Sequence, residues 1–127
     1  MFVVDASAIA ELLLDTQSGR GVADLIGDEP ITAPQLLAVE VASVLRGWVR
    51  GRGLDVARAR GALDDMNDLG ILWEDVPPLV PGAWELRDNL SSNDAVYVVL
   101  ARALSCPLVT CDARLARAAP DVAIVPS

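Results

Sequence analysis

The feature that most constrains this chain is a series of short apolar runs separated by segments with helical periodicity. The runs are continuous rather than alternating, which is typical of strands buried on both faces of a parallel sheet. They predict brief strands at residues 2–4, 31–33, 71–73, 107–110 and 122–125. We therefore expect an α/β fold, an α/β/α sandwich around a central parallel sheet of four to five short strands.

Between these runs, the pattern predicts five helices. They cover residues 7–14, 34–49, 54–69, 81–90 and 92–104. The last of these segments is apolar almost all round, which indicates a buried helix. No internal repeat or low-complexity tail interrupts the 127 residues, and this length suits one compact core, so we expect a single domain over residues 1–127.

Missing residue types narrow the chemistry open to the chain. There is no histidine and no lysine, which excludes serine–histidine catalysis, cysteine–histidine catalysis and any mechanism that needs a lysine. Two cysteines, Cys106 and Cys111, are too few for a disulfide framework or a four-ligand zinc site. Catalysis would therefore have to come from carboxylates, hydroxyl groups or a metal.

The charge balance points the same way. Eighteen acidic residues stand against ten basic ones, for a formal net charge of -8. Such a surface repels polyanions at long range, so the chain is not predicted to be a general nucleic-acid binder. Some of the carboxylates are better explained as a cluster around a cation.

No apolar run is long enough to span a membrane, and the apolar start is too short for a signal-peptide core, so we expect a cytoplasmic protein.

Two aspartates follow predicted strands directly. Asp5 comes after the first strand and Asp112 after the fourth, and each precedes a helix. Ligands of open parallel sheets bind at the carboxyl ends of the strands, so both side chains are candidates for a site there. The alternative is that each is only a helix cap. If the two strands are neighbours, the carboxylates meet at one edge and repel unless a cation joins them.

Two further acids lie beside apolar helix faces. Glu40 flanks the stripe that includes Leu37, Val41 and Leu45, where an unpaired charge costs several kcal/mol. An arginine or a metal could compensate for this charge, and we favour the metal. Asp94 lies in the first turn of the apolar helix 92–104, where the helix dipole alone could explain an acid.

These residues carry a pattern that resembles the PIN domain and, within it, the VapC-like toxins. The segments are VVDASA at 3–8, LAVEVA at 37–42, NDAVYV at 93–98 and LVTCDARLA at 108–116. Each segment alone is a weak signal, whereas four in the family's order in a chain of this size are a strong one. One departure is Asn93, where many relatives have an aromatic or small residue, and we expect it to affect substrate fit rather than metal binding.

The resemblance implies an endoribonuclease that cuts RNA with Mg²⁺ or Mn²⁺. Asp5, Glu40, Asp94 and Asp112 match the family's acidic metal-binding and catalytic positions. Ser7 and Thr110 match polar positions that orient the carboxylates or water. The substrate implied is a structured RNA such as a stem-loop, and the partners implied are a VapB-like antitoxin and a second copy in a homodimer.

Two other functions remain open. Phosphotransfer on an aspartate also uses acids at strand ends, but it usually relies on a lysine, and in the phosphatases on a second aspartate where Ser7 stands. The main alternative is a catalytically inactive PIN-like module that binds RNA or protein. Loss of an acid would be its signature, and all four acids are present.

Overall fold

The computed structural model describes residues 1–127 and has at its centre a sheet of five parallel strands. The strands are β1 (Phe2–Val4), β2 (Ile31–Pro34), β3 (Leu72–Glu74), β4 (Leu108–Val109) and β5 (Ala123–Ile124). Their order across the sheet is β3-β2-β1-β4-β5, and every neighbouring pair is parallel. The predicted α/β fold with a parallel sheet of short strands is thereby confirmed.

Seven helices accompany the strands. They are α1 (Ala6–Leu13), α2 (Gln17–Ile26), α3 (Leu36–Gly51), α4 (Val56–Met66), α5 (Val80–Glu85), α6 (Ser92–Leu104) and α7 (Ala113–Ala118). A single 3₁₀ turn, Pro77–Leu79, precedes α5. None of the seven combines the length and the apolar character needed to cross a bilayer.

The centre of the sheet is covered on both faces. Successive side chains of a strand point to opposite faces, yet Val3 and Val4 of β1 are both 0% exposed, as are Leu108 and Val109 of β4. Helix α6 packs across β1, β2 and β4, while α1 packs against α2, α3 and α4. The continuous apolar runs of the sequence therefore do form strands with two buried faces.

The sequence pattern misses helix α2 entirely. Thr16 caps its first turn by accepting a hydrogen bond from the backbone N–H of Gly19 at 3.0 Å, and Val22 and Ile26 face the core. Two glycines lower the helix propensity of this segment and conceal its periodicity. Gly19 is required by tertiary packing, since a Cβ there would lie 2.0 Å from the carbonyl oxygen of Glu11 in α1.

Other helix boundaries differ in smaller ways. Pro34, predicted in the first turn of a helix, is the last residue of β2, and α3 begins two residues later at Leu36. The segment predicted at 81–90 is the shorter helix α5 followed by turns, and helix 92–104 is confirmed at both ends. Leu37, Val41 and Leu45 form the buried face of α3, as the sequence predicts.

The strand order brings the two strand-end aspartates together. β1 lies in the middle, with β2 on one side and β4 on the other, so the chain connections diverge there. In open parallel sheets, such a divergence leaves a crevice beyond the carboxyl ends of the strands. Asp5 follows β1 and Asp112 lies three residues after the end of β4, at this edge. The two aspartates were expected to lie close together only if their strands are neighbours, and β1 and β4 do pair.

We predict that Leu108→Ala lowers the free energy of unfolding by about 2–5 kcal/mol, because it opens a cavity in a 0% exposed position between β1 and β5. Leu104→Ala is the matched control, since Leu104 is 41% exposed at the end of α6 and should change stability by less than about 1 kcal/mol. Urea unfolding followed by circular dichroism measures both. Equal losses in the two variants would contradict the assigned core.

Candidate active site

Asp5 is the most enclosed carboxylate of the edge described above. It is 6% exposed and caps helix α1, where it accepts a hydrogen bond from the backbone N–H of Ala8 at 3.0 Å. The hydroxyls of Ser7 and Thr110 also donate to it, at 2.7 and 2.5 Å. The capping alternative is therefore correct for Asp5, but capping uses only part of its hydrogen-bonding capacity and does not explain the two hydroxyl donors.

Those two hydroxyls join the end of β1 to the end of β4. Thr110 is 0% exposed, and while it donates to Asp5 its oxygen accepts from the backbone N–H of Asp112 at 3.0 Å. Ser7 accepts from the backbone N–H of Cys111 at 2.9 Å. Each hydroxyl is thus both donor and acceptor, which fixes the Asp5 carboxylate relative to the segment that carries Asp112.

Asp112 and Asp94 line an open cavity beside this pair. The cavity has a volume of about 410 Å³, and its other walls come from residues 89–91, Arg114 and Leu115. Asp112 caps α7 by accepting from the backbone N–H of Arg114 at 2.9 Å. The Arg114 side chain is 86% exposed and its Nε lies 3.7 Å from Asp112 Oδ1, a loose ion pair of the kind that contributes little to stability.

Glu40 reaches the same region from α3 and is held by two neutral groups of α6. The Tyr97 hydroxyl donates to its Oε1 at 2.6 Å, and the Asn93 side-chain amide donates to its Oε2 at 3.1 Å. The sequence leaves an arginine or a metal as the expected partner of Glu40. No arginine pairs with it in the structure, since Glu40 takes part in none of the ion pairs.

The carboxylates of this edge affect one another. Burial raises the pKa of Asp5, and the charge of Asp94 raises it further against the lowering effect of the hydrogen bonds from Thr110 and Ser7. Burial also raises the pKa of Asp94, with a contribution from the charge of Asp112. Neighbouring negative charge therefore makes Asp5 and Asp94 harder to ionise, and a cation bound beside them would remove this cost.

Two other titratable groups exclude alternative chemistry at the edge. Burial raises the pKa of the Cys111 thiol to about 11, with the charges of Asp5 and Glu11 adding to the effect, so the thiol is not an activated nucleophile. Burial and the adjacent Glu40 raise the pKa of Tyr97 well above its usual value, so its hydroxyl remains a donor.

The donor set suits a hard divalent cation. Carboxylate oxygens are the ligands that Mg²⁺ and Mn²⁺ prefer, and Mg²⁺ needs only one or two of them because it keeps several waters. No group of three or more acidic or cysteine side chains is arranged to hold a metal ion in this structure. The arrangement consists instead of interacting pairs, Asp5 with Asp94 and Asp94 with Asp112, with Glu40 joined to them through Tyr97.

The sequence analysis identified the acids and the two hydroxyl residues at this edge but overlooked Tyr97. The sequence signal for Tyr97 was its position four residues after Asn93, because residues four apart share a helix face. Asn93, which we associated with substrate fit, contacts Glu40. Trp48 of α3 is half-buried against the core, with the Arg52 guanidinium 4.8 Å from its ring centre.

Comparison with known proteins gives consistent matches over most of the chain. The PIN domain family model matches residues 2–120. Among curated proteins, the chain is similar to ribonuclease VapC9 of Mycobacterium tuberculosis, with 43% identity over 115 residues that cover 91% of this chain and 88% of that protein.

Solved structures agree on the fold. A protein of Pyrobaculum aerophilum named PAE2754 superposes with a TM-score of 0.72 and 26% identity, covering 98% of this chain and 83% of the other. VapC20 of Mycobacterium tuberculosis, described as a toxin that cleaves the sarcin-ricin loop, superposes with a TM-score of 0.69 at 18% identity, covering 93% of this chain and 95% of the other. The second likeness is evidence of the fold alone.

We predict that Thr110→Val lowers the free energy of unfolding by about 1–3 kcal/mol, because it removes the hydroxyl that serves both Asp5 and the backbone of Asp112. Thr110→Ser keeps the hydroxyl and should restore most of this loss. Chemical denaturation of the three proteins measures the effect. Equal destabilisation by valine and serine would mean that the methyl group, rather than the hydroxyl, is what matters.

We predict that Asp94→Asn stabilises the protein in the presence of chelator at neutral pH. The raised pKa of Asp94 means that its charged form is disfavoured by folding, and asparagine removes this cost. As the pH falls through the raised folded pKa, the wild-type carboxyl is protonated in the folded state, so the advantage of the variant should shrink. Denaturation midpoints at several pH values test this.

Asp75→Asn is the matched control, because Asp75 is exposed and lies in the loop after β3. It should leave the midpoint within about 0.5 kcal/mol of the wild type at every pH. A stabilisation by Asp94→Asn that persists unchanged at low pH would contradict the electrostatic explanation.

Proposed function

This chain belongs to the PIN domain family, and we propose from this premise that it is a VapC-like endoribonuclease that depends on Mg²⁺ or Mn²⁺. The observation that carries the proposal is the link between two strand ends at one edge of the sheet, where Thr110 donates to Asp5 and accepts from the backbone N–H of Asp112. The charge of Asp94 acts on Asp5, and that of Asp112 acts on Asp94. Phosphotransfer on an aspartate is less suited to this edge, since the chain has no lysine to contact the phosphate.

The acids expected to hold the metal are Asp5, Glu40, Asp94 and Asp112. When bound, a divalent metal would lower the pKa of a water molecule, and its positive charge would stabilise the phosphate oxygens of the substrate. Asp5 is positioned for this role because its hydroxyl donors fix its orientation. No histidine is needed as a general base on this route.

Substrate recognition has to overcome the acidic surface. With a net charge of -8 the protein repels RNA at long range, so binding would depend on the metal and on the shape of the RNA. Arg114 stands exposed at the rim of the cavity and is the cation best placed there to contact a phosphate. A structured RNA such as a stem-loop is the substrate class that we propose.

The relatives also suggest how the activity is controlled. By likeness to proteins named VapC, we propose a VapB-like antitoxin as the inhibitory partner and a homodimer as the active assembly. Both are open to direct measurement, by co-expression with the candidate antitoxin and by light scattering of the isolated protein.

We predict discrete cleavage of cellular RNA by the purified protein with Mg²⁺ or Mn²⁺, and none with chelator. Asp5→Asn and Asp94→Asn should each lower the rate by more than the 10- to 100-fold typical of losing an outer-shell partner. Mapping of new 5′ ends measures cleavage and identifies the substrate, and Asp75→Asn should cleave as the wild type does.

Other outcomes would redirect the assignment. Metal binding without new RNA ends would favour an inactive module that binds RNA or protein. Cleavage that survives both substitutions, or that proceeds equally in chelator, would contradict the carboxylate site.

A further inference from the structure

Both oxygens of the Glu40 carboxylate accept hydrogen bonds from side chains of one helix, α6. Tyr97 donates to Oε1 at 2.6 Å and Asn93 donates to Oε2 at 3.1 Å. The two donors are four residues apart on α6 and therefore share a face of that helix. Asp94 lies next to Asn93 in the first turn of the same helix, so a single rigid element controls where both carboxylates stand.

Both donors are neutral, although Glu40 is partly buried and the chain has ten arginines. An arginine partner would cancel the charge of Glu40 and compete with any cation for its oxygens. A hydroxyl and an amide restrict the side chain without cancelling the charge. A carboxylate oxygen has more than one lone pair, so each oxygen keeps a free acceptor position after accepting one hydrogen bond.

The Tyr97 donor is held firmly by its surroundings. The side chain is 1% exposed, and α6 packs across three strands of the sheet. Rotation of the ring away from Glu40 would require the core to open. Asn93 is exposed at the start of α6, and its side-chain amide donates to the second oxygen of Glu40.

From these contacts we propose that Asn93 and Tyr97 are positioning residues that orient the Glu40 carboxylate as a ligand for the divalent metal. We call this pair of donors the Glu40 clamp. The proposal rests on the proposed function, because it assigns the clamp to the same metal-dependent site. It also gives Asn93 a role in metal binding.

The first test is the affinity of the purified full chain for Mn²⁺, measured by calorimetry. Tyr97→Phe removes only the hydroxyl and should weaken Mn²⁺ binding about 10-fold, and Asn93→Ala combined with it should approach 100-fold, the range found for partners of metal ligands. Ser92→Ala is the matched control, since Ser92 is exposed in the same helical turn and makes no hydrogen bond to Glu40. It should bind Mn²⁺ as the wild type does.

A double-mutant cycle separates positioning from a structural effect. In a Glu40→Gln background the clamp has no carboxylate to hold, so Tyr97→Phe should cause no further loss of Mn²⁺ affinity. A loss of the same size in both backgrounds would overturn the proposal, because it would show that the hydroxyl acts on the fold and not through Glu40. Wild-type affinity in Tyr97→Phe and in the double clamp variant would overturn it as well.

Activity gives a second readout. If the clamp only positions a ligand, Tyr97→Phe should need about 10-fold more Mn²⁺ for half-maximal RNA cleavage and should regain most of the wild-type kcat at saturating Mn²⁺. Glu40→Gln should not regain it. A kcat that stays low in Tyr97→Phe at saturating Mn²⁺ would contradict a positioning role.

The clamp and the proposed function can fail separately. If the wild type neither binds Mn²⁺ nor cleaves RNA, the proposed function is wrong. If the wild type does both and the clamp variants match it, only the clamp is wrong.

The chain has a single tyrosine, so fluorotyrosine labelling gives one ¹⁹F resonance, which should shift on Mg²⁺ addition in the wild type but not in Glu40→Gln.

Discussion

The parallel pairing of β1 with β4 is the interaction on which the candidate site depends. These strands are separated by about a hundred residues of chain, yet their register places Val3 opposite Leu108 and Val4 opposite Val109. The next residues beyond the pair are Asp5 and Thr110, whose side chains are joined by a hydrogen bond at 2.5 Å. Asp112 is placed by the same junction, because its backbone N–H donates to the Thr110 hydroxyl.

Burial makes this junction costly as well as specific. The central strands are covered on both faces, and the Asp5 carboxylate at the end of β1 is itself buried, so repulsion by other charges is weakly screened there. Hydrogen bonds from Ser7 and Thr110 offset part of the cost for Asp5, while its pKa still remains raised. The buried carboxylate therefore lowers the stability of this edge of the sheet, and functional sites are where such a cost is expected.

The sequence was sufficient for the fold class and singled out the candidate acids, for identifiable reasons. Continuous apolar runs predict strands with two buried faces, and Asp5, Glu40, Asp94 and Asp112 stand where strand ends and apolar helix faces leave a charge unexplained. Helix α2 was missed because Gly19 weakens the local helix signal. A glycine is required there because the backbone of Glu11 in α1 leaves no room for a side chain. The local sequence pattern does not reveal such a contact between two helices.

The sequence by itself determined which side chains are available: many carboxylates, no histidine and no lysine, and therefore chemistry built on oxygen ligands. Only the tertiary structure decided how those side chains are held. The partners of Glu40 are Tyr97 and Asn93, more than fifty residues away, and Thr110 reaches Asp5 across 105 residues. Local periodicity can place a residue on a face, but which two faces meet depends on strand order and packing, which are properties of the whole chain.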